Sequence, residues 1–191
     1  ECAVRYGGKI MDDTTACVVK IQKRRRVRLM IGPPADRKDD EKMMSQFFAA
    51  EGQSVICGGT TASIAAQYLG LEVTTSLLYE DDDIPPTSDI QGVDLVTEGV
   101  LTMNRVMQYA QDYLSGNELY YIWRTQKDGA SRLARLLFEQ AADIRFYVGE
   151  AVNSAHQSPT LPLAFKNKMR LILELAECLK KMGKKITISY F

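Results

Sequence analysis

The sequence predicts an α/β fold, a three-layer arrangement in which helices cover both faces of a doubly wound, mostly parallel sheet. Short β-branched segments alternate with helical segments from residue 27 to residue 191. Parallel neighbouring strands need a crossover connection, and a helix between two strands provides one. The residues before this domain predict a strand or hairpin appendage at the amino end.

The predicted strands are short apolar segments bounded by turn residues. They lie at 16–21, 27–31, 54–57, 71–78, 93–96, 144–148 and 185–191. The first two are joined by a basic cluster, Gln22–Arg26, which could bind phosphate or nucleic acid but which we interpret as a solvated turn. The acidic run Glu80–Asp83 lacks the ligand spacing of a calcium loop and is also interpreted as a solvated loop.

The predicted helices have a capping residue, an Ala-rich composition or apolar residues at helical spacing. They lie at 43–51, 61–68, 101–114, 130–142 and 163–182. Asp39, Asp40 and Asp128 are expected to cap helix starts, and Gly70, Gly116 and Gly183 to end helices. The expected core-facing residues of the two long helices are Met103, Val106, Met107, Ala110, Leu114, Met169, Ile172, Leu173, Leu175, Ala176 and Leu179. Tyr120–Trp123 is an aromatic cluster, for which core or interface packing is the simplest interpretation.

Composition excludes several classes of function. The 191 residues include 24 basic and 24 acidic side chains, giving a net charge of zero, and 46% are apolar. This balance argues against a nucleic-acid partner, and no apolar run reaches the roughly 18 to 20 residues of a membrane span. We therefore expect a cytoplasmic protein without a membrane partner. The start at Glu1, without an initiating Met, suggests a piece of a longer chain.

Three predicted strand-to-helix loops combine glycine, hydroxyl and polar residues. Glycine lets the backbone approach a ligand, and the N–H groups at a helix N-terminus attract anions such as phosphate. These loops therefore suggest a site for a small-molecule anion, although glycine and threonine could serve only to turn the chain and cap a helix. The candidate ligand-binding residues are Gly58, Gly59, Thr60, Thr61, Thr97, Glu98, Gly99, Asn153 and His156.

Two of these residues could move protons in a catalytic site. His156 has an ordinary pKa near neutrality, and Glu98 could serve as an acid or a base. Each also has a structural interpretation, as a helix cap or a hydrogen-bond partner of the backbone. No dinucleotide-binding or P-loop motif accompanies them. The four cysteines have no metal-like spacing, and Cys57 and Cys178 are expected in the core.

The stretch Tyr6–Ile21 contains the motif Asp12-Asp13-Thr14-Thr15 and resembles the last segment of the metal-dependent serine/threonine phosphatases of the 2C class, in particular their stage II sporulation protein E branch. In that family the first Asp of the motif binds Mn²⁺ or Mg²⁺, which helps to activate water for attack on a phosphoprotein. The resemblance assigns this metal-binding role to Asp12. Carboxylate oxygen is a suitable ligand for such a cation.

The resemblance implies two parts in the chain. Residues 1–22 would be the tail end of a catalytic domain, without the rest of the catalytic machinery. Residues 27–191 resemble the α/β extension of some of these phosphatases and would be a regulatory or ligand-binding domain that is inactive alone. Two alternatives remain open: an independent binding protein or enzyme for a phosphorylated metabolite, and a protein interaction module. Asp12-Asp13-Thr14-Thr15 could also be an ordinary acidic turn.

Overall fold

A computed structural model describes residues 7–8, 15, 17–19, 24–75, 80, 83–116, 120–151 and 161–191. These residues form an α/β fold with seven strands in one sheet. The strands are β1 (Arg26–Ile31), β2 (Gln53–Cys57), β3 (Thr74–Thr75), β4 (Ser88–Asp89), β5 (Leu95–Thr97), β6 (Asp143–Val148) and β7 (Lys185–Tyr190).

The described part of the chain also contains six α-helices. They are α1 (Asp40–Ala49), α2 (Gly59–Leu69), α3 (Val100–Ser115), α4 (Tyr120–Thr125), α5 (Gly129–Ala134) and α6 (Leu161–Lys181). A 3₁₀ turn at Arg37–Asp39 precedes α1, and α5 continues as a π-helix over Arg135–Gln140. No helix among the described residues is both long enough and apolar enough to cross a membrane.

The sheet has the order β3-β4-β5-β2-β1-β6-β7. The five strands from β5 to β7 in this order are parallel, and β3 and β4 add an antiparallel edge. Because β1 lies in the middle, the chain first builds one side of the sheet and then, from β6 onward, the other. The predicted doubly wound topology is therefore confirmed.

Two apolar cores lie on opposite faces of the sheet and confirm the three layers. Met30 and Ile56 face α1 and α2, where Met43, Met44 and Phe47 are fully buried. On the other face, alternate strand residues such as Leu29 and Phe146 pack with residues of α3, α5 and α6. Trp123 of α4 joins this second core and stacks on Tyr109 with ring centroids 5.4 Å apart, whereas its neighbours Tyr121 and Ile122 are exposed.

Glycine ends two helices as predicted. Gly70 and Gly116 both adopt the left-handed backbone conformation, in which each N–H donates to a carbonyl of the preceding helical turn. Asp128 also caps α5 as predicted. The expected cap by Asp39-Asp40 is wrong: Asp39 forms no side-chain cap, Asp40 lies inside α1, and Asp36 instead accepts a hydrogen bond from Lys38 N at 3.0 Å.

The strand predicted at 71–78 starts later than expected. Within the described part of this stretch, 71–75, only Thr74 and Thr75 pair, with β4, and both are exposed. Leu71 and Val73 pack against the core under α1 and α2 without joining the sheet. Their apolar side chains therefore reflect packing of a connecting segment, which sequence alone does not distinguish from a strand.

Two predicted core positions are exposed. Leu114 is 38% exposed and Leu173 is 47% exposed. Tyr113 occupies the core side of the last turn of α3 and contacts the Phe138 ring at 5.8 Å between centroids. Leu173 follows the buried Ile172. Because successive helical residues lie about 100° apart, the side chain of Leu173 points toward solvent when that of Ile172 points into the core.

The predicted strand at 16–21 is only partly described. Cys17, Val18 and Val19 form no strand, and Val18 and Val19 are 90% and 80% exposed. Apart from Gly7, Gly8 and Thr15, the rest of the predicted appendage lies outside the described residues. The basic cluster is partly engaged at the surface, where Arg26 pairs with Glu51 at 2.7 Å and Arg24 with Asp143 at 3.7 Å.

Candidate functional site

The loops that follow β2 and β5 lie side by side at the carboxyl edge of the sheet. Cys57 and Thr97 are register partners at the ends of these strands, and Gly58 N donates to the Thr97 carbonyl oxygen at 2.9 Å. A Cβ atom on Gly99 would lie 3.4 Å from Gly58 Cα. The structure therefore brings together seven of the candidate residues, Gly58–Thr61 and Thr97–Gly99.

The first of these loops leads into a helix without a side-chain cap. Gly58 has a φ of +111°, a conformation that favours glycine, and α2 starts at the next residue. Gly59 and Thr60 are exposed, whereas Thr61 is buried. First-turn N–H groups have no partner within their helix, so the exposed start of α2 presents partial positive charge to solvent.

The second loop uses its polar groups internally. The hydroxyl of Thr97 lies 2.8 Å from the Glu98 carbonyl oxygen and 3.4 Å from Cys57 Sγ. Glu98 Oε2 accepts a hydrogen bond from Leu101 N at 3.0 Å, at the start of α3. The Glu98 carboxylate thus caps the start of α3, and the Thr97 hydroxyl is used in hydrogen bonds within the loop and to Cys57. They favour the structural interpretation of Glu98 over a role in proton transfer.

Cys57 lies beneath the two loops as an inert thiol. Its side chain is fully buried, and burial raises the pKa of the thiol to about 12, with a partly opposing effect of the hydrogen bond from the Thr97 hydroxyl. The thiolate is the reactive form of cysteine. Cys57 is therefore a core residue, as predicted, and not a nucleophile for this edge of the sheet.

At the usual ligand position of such a sheet, the described starts of two loops are in contact. In open α/β sheets ligands bind where the strand order reverses, which here is between β1 and β6. Gly149 N donates to Ile31 O at 3.0 Å, and Ala151 N donates to Pro33 O at 3.1 Å. A Cβ on Gly149 would lie 2.0 Å from Pro33 O. Within the described residues, Gly149–Ala151 is thus in direct backbone contact with the segment Ile31–Pro33.

Lys168 of α6 adds a side-chain contact to the start of the β6 loop. Its amine donates to Gly149 O at 2.7 Å and lies 3.4 Å from Ala151 O. Burial lowers the pKa of the amine, and the nearby Glu150 partly offsets this effect. Sequence reasoning did not single out Lys168, because a lysine among several on one helix gives no signal of burial.

A groove runs between α3 and α6 from the same edge. It encloses a cavity of about 530 Å³ lined by residues that include Val100, Asn104, Met107, Lys168, Leu171 and Glu174. This volume is within the usual range of small-molecule pockets, about 300 to 1,000 Å³. The groove has apolar side chains at its floor and amide or charged side chains at its rim. The sequence did not predict it, because it depends on how two helices that are far apart in the chain pack together.

A buried polar cluster lies on the other side of Thr97. Asp128 Oδ1 accepts hydrogen bonds from Ala130 N at 2.9 Å and Ser131 N at 3.0 Å, and its Oδ2 is buried without a partner among the described residues. A Cβ on Gly129 would lie 3.2 Å from Thr97 Cγ2. The Asp-Gly pair thus holds the start of α5 against the end of β5.

The remaining candidate residues, Asp12, Asn153 and His156, lie outside the described residues. Within the parts of the chain that are described, no group of three or more His, Cys, Asp or Glu side chains could hold a metal ion. The Mn²⁺ or Mg²⁺ site that the resemblance implies for Asp12 stays a prediction.

Comparison with known proteins gives no relative. No protein-family model matches the chain, and neither the curated proteins nor the solved structures contain a significant match.

Proposed function

We propose that this chain is the carboxyl-terminal part of a metal-dependent protein serine/threonine phosphatase of the sporulation protein E kind. Residues 27–191 would be its regulatory domain and would sense a small anion. The resemblance of Tyr6–Ile21 supports the parent enzyme, which would act on a phosphoprotein in the cytoplasm with Mn²⁺ or Mg²⁺. Most of the residues described here belong to the proposed sensory domain.

The exposed, uncapped start of α2 carries the sensory part of the proposal. Gly59 and Thr60 are accessible there, next to the loop containing Gly99. A phosphate or carboxylate group would receive hydrogen bonds from the first-turn N–H groups of α2 and would be stabilised by the helix dipole. The glycines allow close approach of such a group.

Thermal unfolding tests the sensory role. The 191-residue protein is screened against inorganic phosphate, phosphorylated sugars and nucleotides, and a ligand at about 100 times its Kd would add about 2.7 kcal/mol of stability. Thr60→Asp places a negative charge beside the α2 amides and should abolish the rise in Tm, whereas the matched Thr60→Asn should keep it. If no compound raises Tm, or if Thr60→Asp responds as wild type does, anion binding at α2 is rejected.

A separate assay tests the relation to the phosphatase. With Mn²⁺ and a phosphoserine peptide, the 191-residue chain should show no turnover. The same chain joined to the residues encoded upstream should hydrolyse the peptide, and Asp12→Ala in that longer protein should reduce the rate strongly. Turnover by the 191-residue chain alone would contradict the proposal that this chain lacks a complete catalytic domain, whatever the result of the ligand screen.

A further inference from the structure

One part of the parallel sheet has a face that no described helix covers. Arg145 of β6 and Lys185 and Thr187 of β7 lie on the side of α1 and α2, yet all three are exposed. The alternate residues Ile186 and Ile188 pack into the opposite core. Because parallel strands in α/β proteins are normally covered on both faces, this surface, which we call the β6–β7 strip, is unusual.

The β6–β7 strip and its flank are basic. Two rows cross the sheet here, Arg26–Asp143–Lys185 and Arg28–Arg145–Thr187. They contain four basic side chains and one carboxylate.

The flanking cations are already engaged. Arg26 pairs with Glu51, and the Arg28 guanidinium lies 5.2 Å from the centroid of the Phe47 ring. Arg145 lies near the Tyr147 hydroxyl and Asp143. Arg145 and Lys185 are thus the exposed cations of the β6–β7 strip itself, and they favour an acidic partner.

The edge of the sheet beside this strip presents backbone hydrogen-bonding groups. Lys185 N donates to Ala142 O at 3.0 Å, Phe191 N to Val148 O at 3.0 Å, and Glu150 N to Phe191 O at 2.8 Å. The odd-numbered residues of β7 therefore bond to β6. In a parallel pair the peptide groups of the intervening residues, Ile186, Ile188 and Tyr190, point the other way, toward the edge. In the sheet of the described residues β7 is the last strand.

We propose that the β7 edge and the β6–β7 strip bind an extended, acidic peptide segment of a protein partner, which adds a strand to the sheet. Its backbone would bond with Ile186, Ile188 and Tyr190. Every second side chain would lie on the strip face, because side chains alternate along a strand and adjacent strands are about 4.8 Å apart. Acidic residues at those positions would meet Lys185 and the long side chain of Arg145.

Binding of a synthetic peptide tests this proposal. The probe is the peptide Thr-Glu-Val-Glu-Val-Glu-Thr with blocked ends, and the control peptide has Gln in place of Glu. We expect calorimetry to detect the acidic peptide only. Lys185→Glu and Arg145→Glu should each weaken binding about tenfold or more through like-charge repulsion. Lys180→Glu on the outer side of α6 should leave binding unchanged.

A second pair of variants separates strand addition from simple charge attraction. Tyr190→Pro removes an N–H group that points to the edge and leaves the bonds to β6 in place, whereas Tyr190→Ala keeps that N–H group. Binding should be lost in Tyr190→Pro and retained in Tyr190→Ala, with unchanged melting temperatures. The bound peptide should also slow amide hydrogen exchange at Ile186 and Ile188.

Four results would overturn the proposal. These are no binding of the acidic peptide at millimolar concentration, equal binding of the Gln peptide, equal binding by Tyr190→Pro and Tyr190→Ala, and tighter binding of a single-stranded oligonucleotide through Lys185 and Arg145. Concentration-dependent dimerisation of the wild type that Tyr190→Pro abolishes would instead assign the edge to a second copy of the chain.

Discussion

The side-chain amine of Lys168 donates to the carbonyl oxygen of Gly149 at 2.7 Å and so ties α6 to the end of β6. This contact places a cationic group in a half-buried position, where burial lowers its pKa. It also reaches the loop after β1: Gly32 lies so close that a Cβ on it would be 2.9 Å from the Lys168 amine.

Lys168→Met should change the pH dependence of stability. The lowered pKa means that the folded protein releases the Lys168 proton at a lower pH than the unfolded chain, whose lysines titrate near about 10.4. Between these two pKa values the unfolded state binds more protons, so stability rises with pH. The free energy of unfolding of wild type minus that of Lys168→Met should therefore rise as pH approaches about 10.4.

Urea unfolding at a series of pH values measures this difference. Lys180→Met is the control, because Lys180 is an exposed residue of the same helix that pairs with Glu177. Its difference from wild type should stay nearly constant over the same range. A wild-type to Lys168→Met difference that falls with rising pH would show that the folded protein favours the protonated amine.

Gly149→Ala should destabilise the fold strongly. The new Cβ would lie 2.0 Å from Pro33 O and 2.3 Å from Gly32 O, both backbone atoms held by the central strands. Overpacking of this kind typically costs about 1 to 3 kcal/mol, and occasionally more. Urea unfolding followed by circular dichroism gives the value.

Gly59→Ala is the matched control for that substitution. A Cβ there meets no atom within 4 Å, and Gly59 is a helical residue. Replacing glycine by alanine at such a position stabilises by about 0.4 to 1 kcal/mol. A Gly149→Ala variant as stable as Gly59→Ala would mean that the close contact between the β1 and β6 loops is not tight in solution.

Asp128→Ala should cost about 1 to 2 kcal/mol, because it removes the acceptor of two α5 amides. Asp128→Asn keeps an oxygen in that place and should lose much less. The two free energies of unfolding are compared at neutral pH. Similar losses for both variants would show that the negative charge, and not the acceptor, stabilises the start of α5.

Cys57 should resist alkylation in the folded protein. Its thiol is buried and has a pKa of about 12, whereas Cys17 is exposed. After brief treatment with iodoacetamide near pH 8, peptide mass spectrometry should find label on Cys17 and none on Cys57. Cys57 should be labelled once urea unfolds the protein. Labelling of both at similar rates in the native state would show that the β2–β5 region opens readily.

The sequence predicts the parallel part of the sheet well, because short apolar runs bounded by turn residues, such as Val27–Ile31 and Ser54–Cys57, are typical of buried strands. Helix ends at Gly70 and Gly116 are equally local signals, since glycine has a distinct backbone preference. Local signals fail where long-range packing decides. They do not show that Leu71 packs outside the sheet or that Leu173 faces solvent.

The sequence also predicts only part of the candidate site, because some of its contacts depend on long-range packing. Gly58 and Gly99 follow neighbouring parallel strands, so their proximity could be inferred from the strand order. The capping role of Glu98 and the contact between Gly149 and Pro33 depend on the exact approach of loops that are far apart in the chain. Nothing in the local sequence encodes the burial of Lys168.

The central position of β1 has a consequence for the order of folding. Its first neighbour, β2, follows closely in the chain, but its second neighbour starts only at Asp143. During synthesis one edge of β1 therefore remains without its partner until most of the domain has left the ribosome. Such long-range pairing slows folding, so the nascent chain would expose the apolar edge around Leu29 and Met30 to chaperones or to aggregation during this interval.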